Sequence, residues 1–485
     1  MSASSGGPGA REGAAERLVP VLAAAAAVLL VLRHAVAYAP LFDDFAIFGE
    51  LPATPLGRIL AEPLGGFYRP AGLAFMKVEA LLFGLGRPWG LAAGSALLHA
   101  ANAALLVLLL RRAGHGRAPS RAAGALFLAS PWAGEAFFWA SAQFDLLATL
   151  GVLLALLAVQ AALRPEGRSA LPVLLACGAA GLALASKESS VTLAAAGPLA
   201  LLGLAPRARR AARPLAAAAA ALGLLTAAFL VLRAHVLPAL RGPYGDFGTL
   251  VSGGAGLRNL LSHVVAFLRP PFAAQGPALA LLQAGWAALL LLLLARALRG
   301  DAAGTALGLA AVAAALGPVA VLPTGAASIP SGRLLYLPGM LLVLVLAGSP
   351  GAGVPAPRLA RSAAAALLAL ALASLGWQQA LWRSACALSR NVIAAVAPYA
   401  SSDRPLLLVG LPLRFERGPH VLKSYAFRYA FPGRGVPPVR AEGVVLENDP
   451  GRLRVARREP DPFSEGAPDG SERRLRLALD DSWLR

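Results

Sequence analysis

Apolar runs recur along the chain, separated by short polar gaps. A hydrocarbon core about 30 Å thick needs about twenty apolar residues to be crossed by a helix. On that rule the pattern predicts about eleven spans, near 18–38, 88–110, 121–140, 145–163, 170–186, 189–205, 214–235, 277–296, 303–322, 334–348 and 362–380. Residues 257–272 read either as one more span or as an interfacial helix. The stretch FYRPAGLAFMKVEALLFGLGRP is apolar but carries Lys77 and Glu79, and Pro70 and Pro88 bound it. It predicts an amphipathic helix lying on the membrane surface.

The polar gaps fix a topology. Arg111, Arg112, Arg117 and Arg121 share one gap, Arg164 and Arg168 another, and Arg207, Arg209, Arg210 and Arg213 a third. Arg296 with Arg299, and Arg358 with Arg361, fill two more. With the tail 1–17, carrying Arg11 and Arg17, on the cytoplasmic side, every one of these clusters falls on that side too, as the positive-inside rule requires. The outline of a signal peptide at the N-terminus is interrupted by Arg33 and His34, and further apolar runs follow, so the first run reads as an uncleaved helix. The opposite side receives 39–87, the turns near 130–145, 186–189 and 323–333, the loop 236–276 with Asp246, and everything after 381.

Beyond residue 400 the period shortens. RPLLLVGLPL, VLKSYAFRYAF, AEGVVLEND and GRLRVARREP are short β-prone runs between Gly, Pro and Asp turns, and EPDPFSEGAPDGS reads as a loop. The expected architecture is therefore an all-α polytopic membrane domain, 18–380, followed by a small, mostly β domain, 381–485, outside the membrane.

Composition agrees. The 485 residues are 57% hydrophobic and 14% charged, against about 25% charged in soluble domains. The net charge of +19 is carried almost wholly by arginine, since Lys77, Lys187 and Lys423 are the only lysines. It is spread through loops rather than gathered on a soluble face, which argues against nucleic acid as a partner and for membrane lipids. Cys177 and Cys386 make no metal or disulfide framework, and no phosphate-binding glycine loop occurs.

The chemistry-bearing residues stand on the non-cytoplasmic side. Asp43 and Asp44, in PLFDDFAIFGE, can supply a general base for a hydroxyl acceptor, or can cap a solvated helix end. An aspartate pair also suits a divalent cation, although no ligand cluster accompanies it. Glu135 and Asp145 lie at or near membrane depth, where ionisable groups face a cavity or a partner. Lys187 and Glu188, in ASKESSVTL, read as an ion pair closing a helical hairpin or as a phosphate contact. Arg333 and Tyr336, in IPSGRLLYLPG, read as a phosphate grip or as interfacial anchors.

The order of these segments (FDDFAIF, FYRPAGLAF, LLHAANAALLVLLLRR, SPWAGEAFFWASAQFDLLATLGVLLAL, LALASKESSVTLAAAGPLALL, SGRLLYLPG) resembles the GT-C superfamily of integral membrane glycosyltransferases. It is most similar to the membrane part of the O-mannosyltransferases that carry tetratricopeptide repeats, and to their bacterial relatives, over about residues 20–350. The resemblance implies an enzyme of the bacterial cytoplasmic membrane that moves a sugar from a polyprenyl-phosphate carrier to an acceptor on the outer side. It implies Asp43 or Asp44 as the base. On this reading Asp43 takes the proton, Asp44 supports it, and Lys187, Arg333, Tyr336 and Arg69 hold the donor phosphate. Glu135, Asp145, Glu188 and Gln143 complete the site. Where family members carry histidines before the glutamate, this chain has Ser130 and Ala133; where they carry an arginine before the next aspartate, it has Gln143. The rival readings are a transporter or flippase, with inverted repeats around a mid-membrane site, and a non-catalytic scaffold.

Overall fold

The computed structural model describes residues 14–163, 170–204, 208–209, 211–237, 254–272, 276–322, 331–348, 358–399, 406–416, 418–431, 439–447, 449, 452–461 and 473–484. Asp246, Arg11, Arg164, Arg168, Arg207 and Arg210 lie outside them, as do most of the 323–333 turn and most of the EPDPFSEGAPDGS run.

The architecture is a bundle of apolar helices with a four-stranded sheet at its C-terminal end. Among the described residues six helices are long and apolar enough to cross a membrane, and five shorter apolar ones accompany them. The long helices are α1 (Ala14–Val36), α5 (Pro88–Ala113), α8 (Gln143–Ala162), α11 (Ala212–Val236), α13 (Gly276–Gly300) and α16 (Arg358–Val396). The shorter ones include α9 (Leu171–Ser186), α10 (Leu193–Leu204), α12 (Ala255–Leu268), α14 (Ala302–Leu316) and α15 (Tyr336–Ala347). Four small helices lie in the connections: α2 (Asp44–Glu50), α3 (Leu56–Ala61), α4 (Pro70–Leu82) and α7 (Gly134–Phe138).

One expected span is broken. Residues 121–140 do not form a single helix. Helix α6 (Arg117–Leu128) stops, a turn holds Ser130–Ala133, and α7 follows. Pro131 has no N–H to continue the ladder and disfavours helix at the residue before it. The break is buried in the protein, so its main-chain groups need internal partners. His34 Nε2 donates to Phe138 O at 2.7 Å and Gln378 Nε2 to Pro131 O at 2.6 Å. The apolar positions in this stretch therefore pack inward, rather than facing lipid.

Helix α4 forms where the surface helix is predicted. Its Gly72, Met76 and Glu79 face is buried in the protein, and Val78, Leu81 and Leu82 are exposed. A Cβ on Gly72 would sit 2.5 Å from the Phe144 ring, so only glycine lets α4 approach α8 this closely. Helix α16 runs without interruption past Ala380, packing on α1 and α13 at one end and on the sheet at the other.

The sheet has order β3–β2–β1–β4, with β1 (Leu406–Phe415), β2 (Val439–Leu446), β3 (Val455–Pro460) and β4 (Arg473–Arg476). β1 is parallel to β2 and to β4, and β3 is antiparallel to β2. Three of the four β-prone runs supply strands. VLKSYAFRYAF does not: it leaves β1 after Val421 N donates to Leu413 O, then turns into a short helix, α17 (Ala426–Ala430). Its main chain pairs instead with the loop before α2, where Phe42 N donates to Val421 O at 3.0 Å.

Asp44 locks that loop. It is completely buried and accepts from Leu41 N at 2.9 Å, Ser141 N at 2.9 Å, Ser141 Oγ at 2.5 Å and the Tyr38 hydroxyl. Each buried donor left without an acceptor costs about 1–3 kcal/mol. Asp44→Ala is expected to lower the thermal unfolding temperature of the purified protein in detergent, with a loss of at least about 3 kcal/mol. An unchanged unfolding temperature would contradict this reading of Asp44.

Candidate active site

The turn before α2 presents two aspartates with different fates. Asp44 is turned inward. Burial pushes its carboxyl up to about 6, and the Ser141, Tyr38 and Leu41 donors keep it from rising further. Asp43 is only partly buried. Burial raises its carboxyl above the usual range, opposed by a hydrogen bond from Tyr425 and by the charges of Arg333 and Lys423. Phe42, just before it, holds φ at 42°, the left-handed region that phenylalanine rarely adopts. Strain of this kind, held by surrounding contacts, is found at functional sites. Here the contacts are the Phe42–Val421 hydrogen bond, a His420 ring stacked on Phe42 at 4.8 Å, and Trp139 at 6.0 Å.

Three cations lie in the neighbouring turns, each paired with a carboxylate. Arg333 Nη1 donates to Glu135 Oε1 at 2.7 Å and its main-chain N–H to Glu135 Oε2 at 3.1 Å. Lys187 Nζ meets Asp145 Oδ2 at 2.6 Å. Arg69 holds both oxygens of Glu188 at 2.8–3.1 Å, with its guanidinium 3.9 Å above the Phe67 ring. The pairs join breaks between helices rather than helix interiors: α7 to the 332–335 turn, α8 to the end of α9, and the start of α4 to the 188–192 turn. Their fields overlap. Glu135 senses Arg333, Asp145 and Lys187, and Lys187 senses Arg69 and Arg333. Arg333 also acts on Asp43, so it links the cation cluster to the partly exposed carboxylate. It is the most exposed of the three, with 20% of its side chain accessible against 11% for Arg69 and 9% for Lys187.

The structure therefore brings together Asp43, Arg69, Glu135, Asp145, Lys187, Glu188 and Arg333. Tyr336 and Gln143 make no hydrogen bond to these groups among the described residues, although Tyr336 lies within the field of Asp145. Tyr336 is fully buried, receives Asn102 Nδ2 at 3.2 Å, and lies 2.7 Å from His99 Nδ1. His99 Nε2 donates to Leu128 O, so the neutral ring accepts the Tyr336 hydroxyl proton at Nδ1. This network bolts α5 to α15 and commits the hydroxyl proton to His99. Gln143, also fully buried, donates to Leu91 O and Ser95 Oγ. Among the described residues no three His, Cys, Asp or Glu side chains converge as a metal site.

Sequence reading missed Tyr425, His420 and Lys423, which reach the site from the C-terminal domain. A histidine, a lysine and a tyrosine within six residues were the available signal, inside a run that reads as a strand. It also missed Glu79. That carboxyl is buried beside Gly94, where a Cβ would lie 1.7 Å from Oε1, and no donor among the described residues reaches Oε2.

Fold and site together define a multi-pass helical protein with a cluster of paired charges against which a C-terminal sheet domain packs. No family model and no curated protein matches the chain. Among solved structures it is similar to ArnT from Cupriavidus metallidurans bound to undecaprenyl phosphate, at 15% identity over 87% of this chain and 92% of that one, with a TM-score of 0.45. It is also similar to the apo state of ArnT, at 15% identity over 86% and 85% of the two chains, with a TM-score of 0.35.

Burial pushes Glu79 up to about 8, so in the folded protein it keeps its proton between pH 4.5 and 8 while the unfolded chain gives it up. The folded state then binds more protons, and stability falls as pH rises through that window. Glu79→Gln is expected to flatten this fall in thermal unfolding scans. An unchanged slope would show that Glu79 is not its source.

Proposed function

We propose that this protein is a membrane glycosyltransferase that takes a sugar from a polyprenyl-phosphate carrier and gives it to a hydroxyl acceptor on the outer side of a bacterial cytoplasmic membrane. The N-terminus would then be cytoplasmic and the sheet domain extracytoplasmic. One observation carries the reading: Asp43, a partly exposed carboxylate with a raised proton affinity, sits in a strained turn within the field of Arg333, at the edge of a cluster of three cations.

Asp43 is the base and Asp44 the anchor that fixes the turn beneath it. A base with a raised pKa accepts a hydroxyl proton more readily near neutral pH. The acceptor oxygen attacks the sugar's anomeric carbon, its proton passes to Asp43, and the bond to the carrier phosphate breaks with the electron pair leaving on phosphate. That developing charge is met by Arg333 first, because it is the most exposed, and by Lys187 behind it. Glu135 and Asp145 hold the two cations in place before the donor arrives, so little reorganisation is needed during the reaction. Arg69 and Glu188 brace the start of α4 against the same turn. The acceptor class is a hydroxyl-bearing protein, glycan or lipid.

Undecaprenyl phosphate is the probe for the donor site. Arg333→Ala and Lys187→Ala are each expected to weaken its binding to the purified protein by about tenfold or more. Asp43→Asn is expected to bind it like the parent chain. The same Asp43→Asn variant should lose about 10²–10⁴-fold of sugar transfer, measured in membranes supplied with radiolabelled polyprenyl-phosphate hexoses. Full transfer by Asp43→Asn, or undiminished probe binding by both cation variants, would overturn the reading.

A further inference from the structure

The C-terminal domain reaches the turn that carries Asp43. Its segment 418–429 lies along α2 and touches it repeatedly. Val421 O takes the Phe42 N–H, His420 stacks on Phe42, Lys423 Nζ lies 5.7 Å over the same ring, and Tyr429 donates to Glu50 at 2.5 Å. At the centre of this contact the Tyr425 hydroxyl donates to Asp43 Oδ1 at 2.7 Å. Among the described residues the side-chain hydrogen bond to Asp43 is made at Oδ1. The segment is itself fastened to the sheet domain, because Ser424 N donates to Asp461 Oδ2 at 2.6 Å.

A carboxylate base needs one oxygen aimed at the acceptor and the other held, or it rotates between unproductive orientations. We propose that Tyr425 is a positioning residue for Asp43: its hydroxyl clamps Oδ1 so that Oδ2 takes the acceptor's proton, which makes the C-terminal domain a working part of the active site. This rests on Asp43 being the base. During transfer Tyr425 keeps its own proton and its hydrogen bond. The proton that moves is the acceptor's, and it goes to Oδ2. Tyr425 lies 382 positions from Asp43 in the sequence, and its place at the site depends on the sheet domain being docked.

The test is Tyr425→Phe, which keeps the ring and removes only the clamp. The Tyr425 hydrogen bond favours the charged form of Asp43, so its loss raises the carboxyl's proton affinity. The acid limb of the transfer-rate profile is expected to move up by about one pH unit, with a larger loss of rate at pH 6 than at pH 8. The neighbouring groups do not produce the same change. Arg333 stays charged, His420 is held down near 3 by burial and by the cations around it, and Asp44 is bonded to Tyr38 and Ser141 rather than to Tyr425. Lys423, with Asp461 and Glu459 nearby, is the same in both proteins.

A uniform loss of rate at every pH, or an unmoved acid limb, would overturn the proposal. Asp43→Asn is assayed beside it. If that variant is inactive while the Tyr425→Phe limb is unmoved, the clamp fails and the base assignment stands. If Asp43→Asn is fully active, both fail. Infrared difference spectra of the purified chain give a readout independent of transfer. The carboxyl band missing from Asp43→Asn is expected to titrate at higher pH in Tyr425→Phe, and identical titration in the two proteins would also overturn the proposal.

Discussion

The Asp44 carboxylate is the fixed point of this structure. It takes donors from both ends of the chain segment that leaves the first helix, through Tyr38 and Leu41, and from the turn at Ser141 about a hundred residues later. A buried carboxylate is tolerated only when its lone pairs are satisfied, and here four donors converge on it. The segments around the site are placed relative to this junction. α2 starts on it, α8 begins just beyond Ser141, and the strained Phe42 is held between it and the sheet domain.

The charges of the site obey a second constraint. Arg69, Lys187 and Arg333 are largely buried, and an unpaired buried cation would cost several kcal/mol. Among the described residues each is therefore paired with a carboxylate, and the formal charges of the six groups sum to zero. This keeps the buried cluster free of uncompensated charge. The pairs also act as braces. Each joins two segments that no hydrogen-bonded ladder connects, which is how the breaks at 129–142, 187–192 and 331–335 hold their shape inside an apolar bundle.

Much of this was legible in the sequence, and the remainder was hidden for identifiable reasons. The apolar runs marked nearly all the helices, because length and hydropathy are local properties. The residues singled out for chemistry lie in turns apart from the arginine-rich gaps, and most of them do meet. What failed was whatever depends on contacts between distant positions. Arg69 and Glu188 are 119 residues apart, and no spacing rule joins them. Tyr336 looked like a phosphate contact because it follows Arg333 closely, yet the start of α15 turns it toward His99 and Asn102. The 121–140 run looked like a span because its residues are apolar, but they are buried by protein rather than lipid. VLKSYAFRYAF has strand-forming residues, and strand propensity yields to the partners a segment finds. This one found the edge of α2.

Helix α16, with 39 residues, is about 58 Å long, nearly twice the thickness of a bilayer's hydrocarbon core. Its near end packs among the apolar helices, and its far end carries the sheet domain, with Asn391 donating to Trp483 O at 2.8 Å. Ser389 donates to Pro40 O at 2.6 Å, so the helix is also tied to the loop that bears the aspartates. It behaves as a measuring rod. On the proposed reading, it would set how far the Asp43 carboxylate stands from the apolar bundle, and so which acceptors could bring a hydroxyl to it.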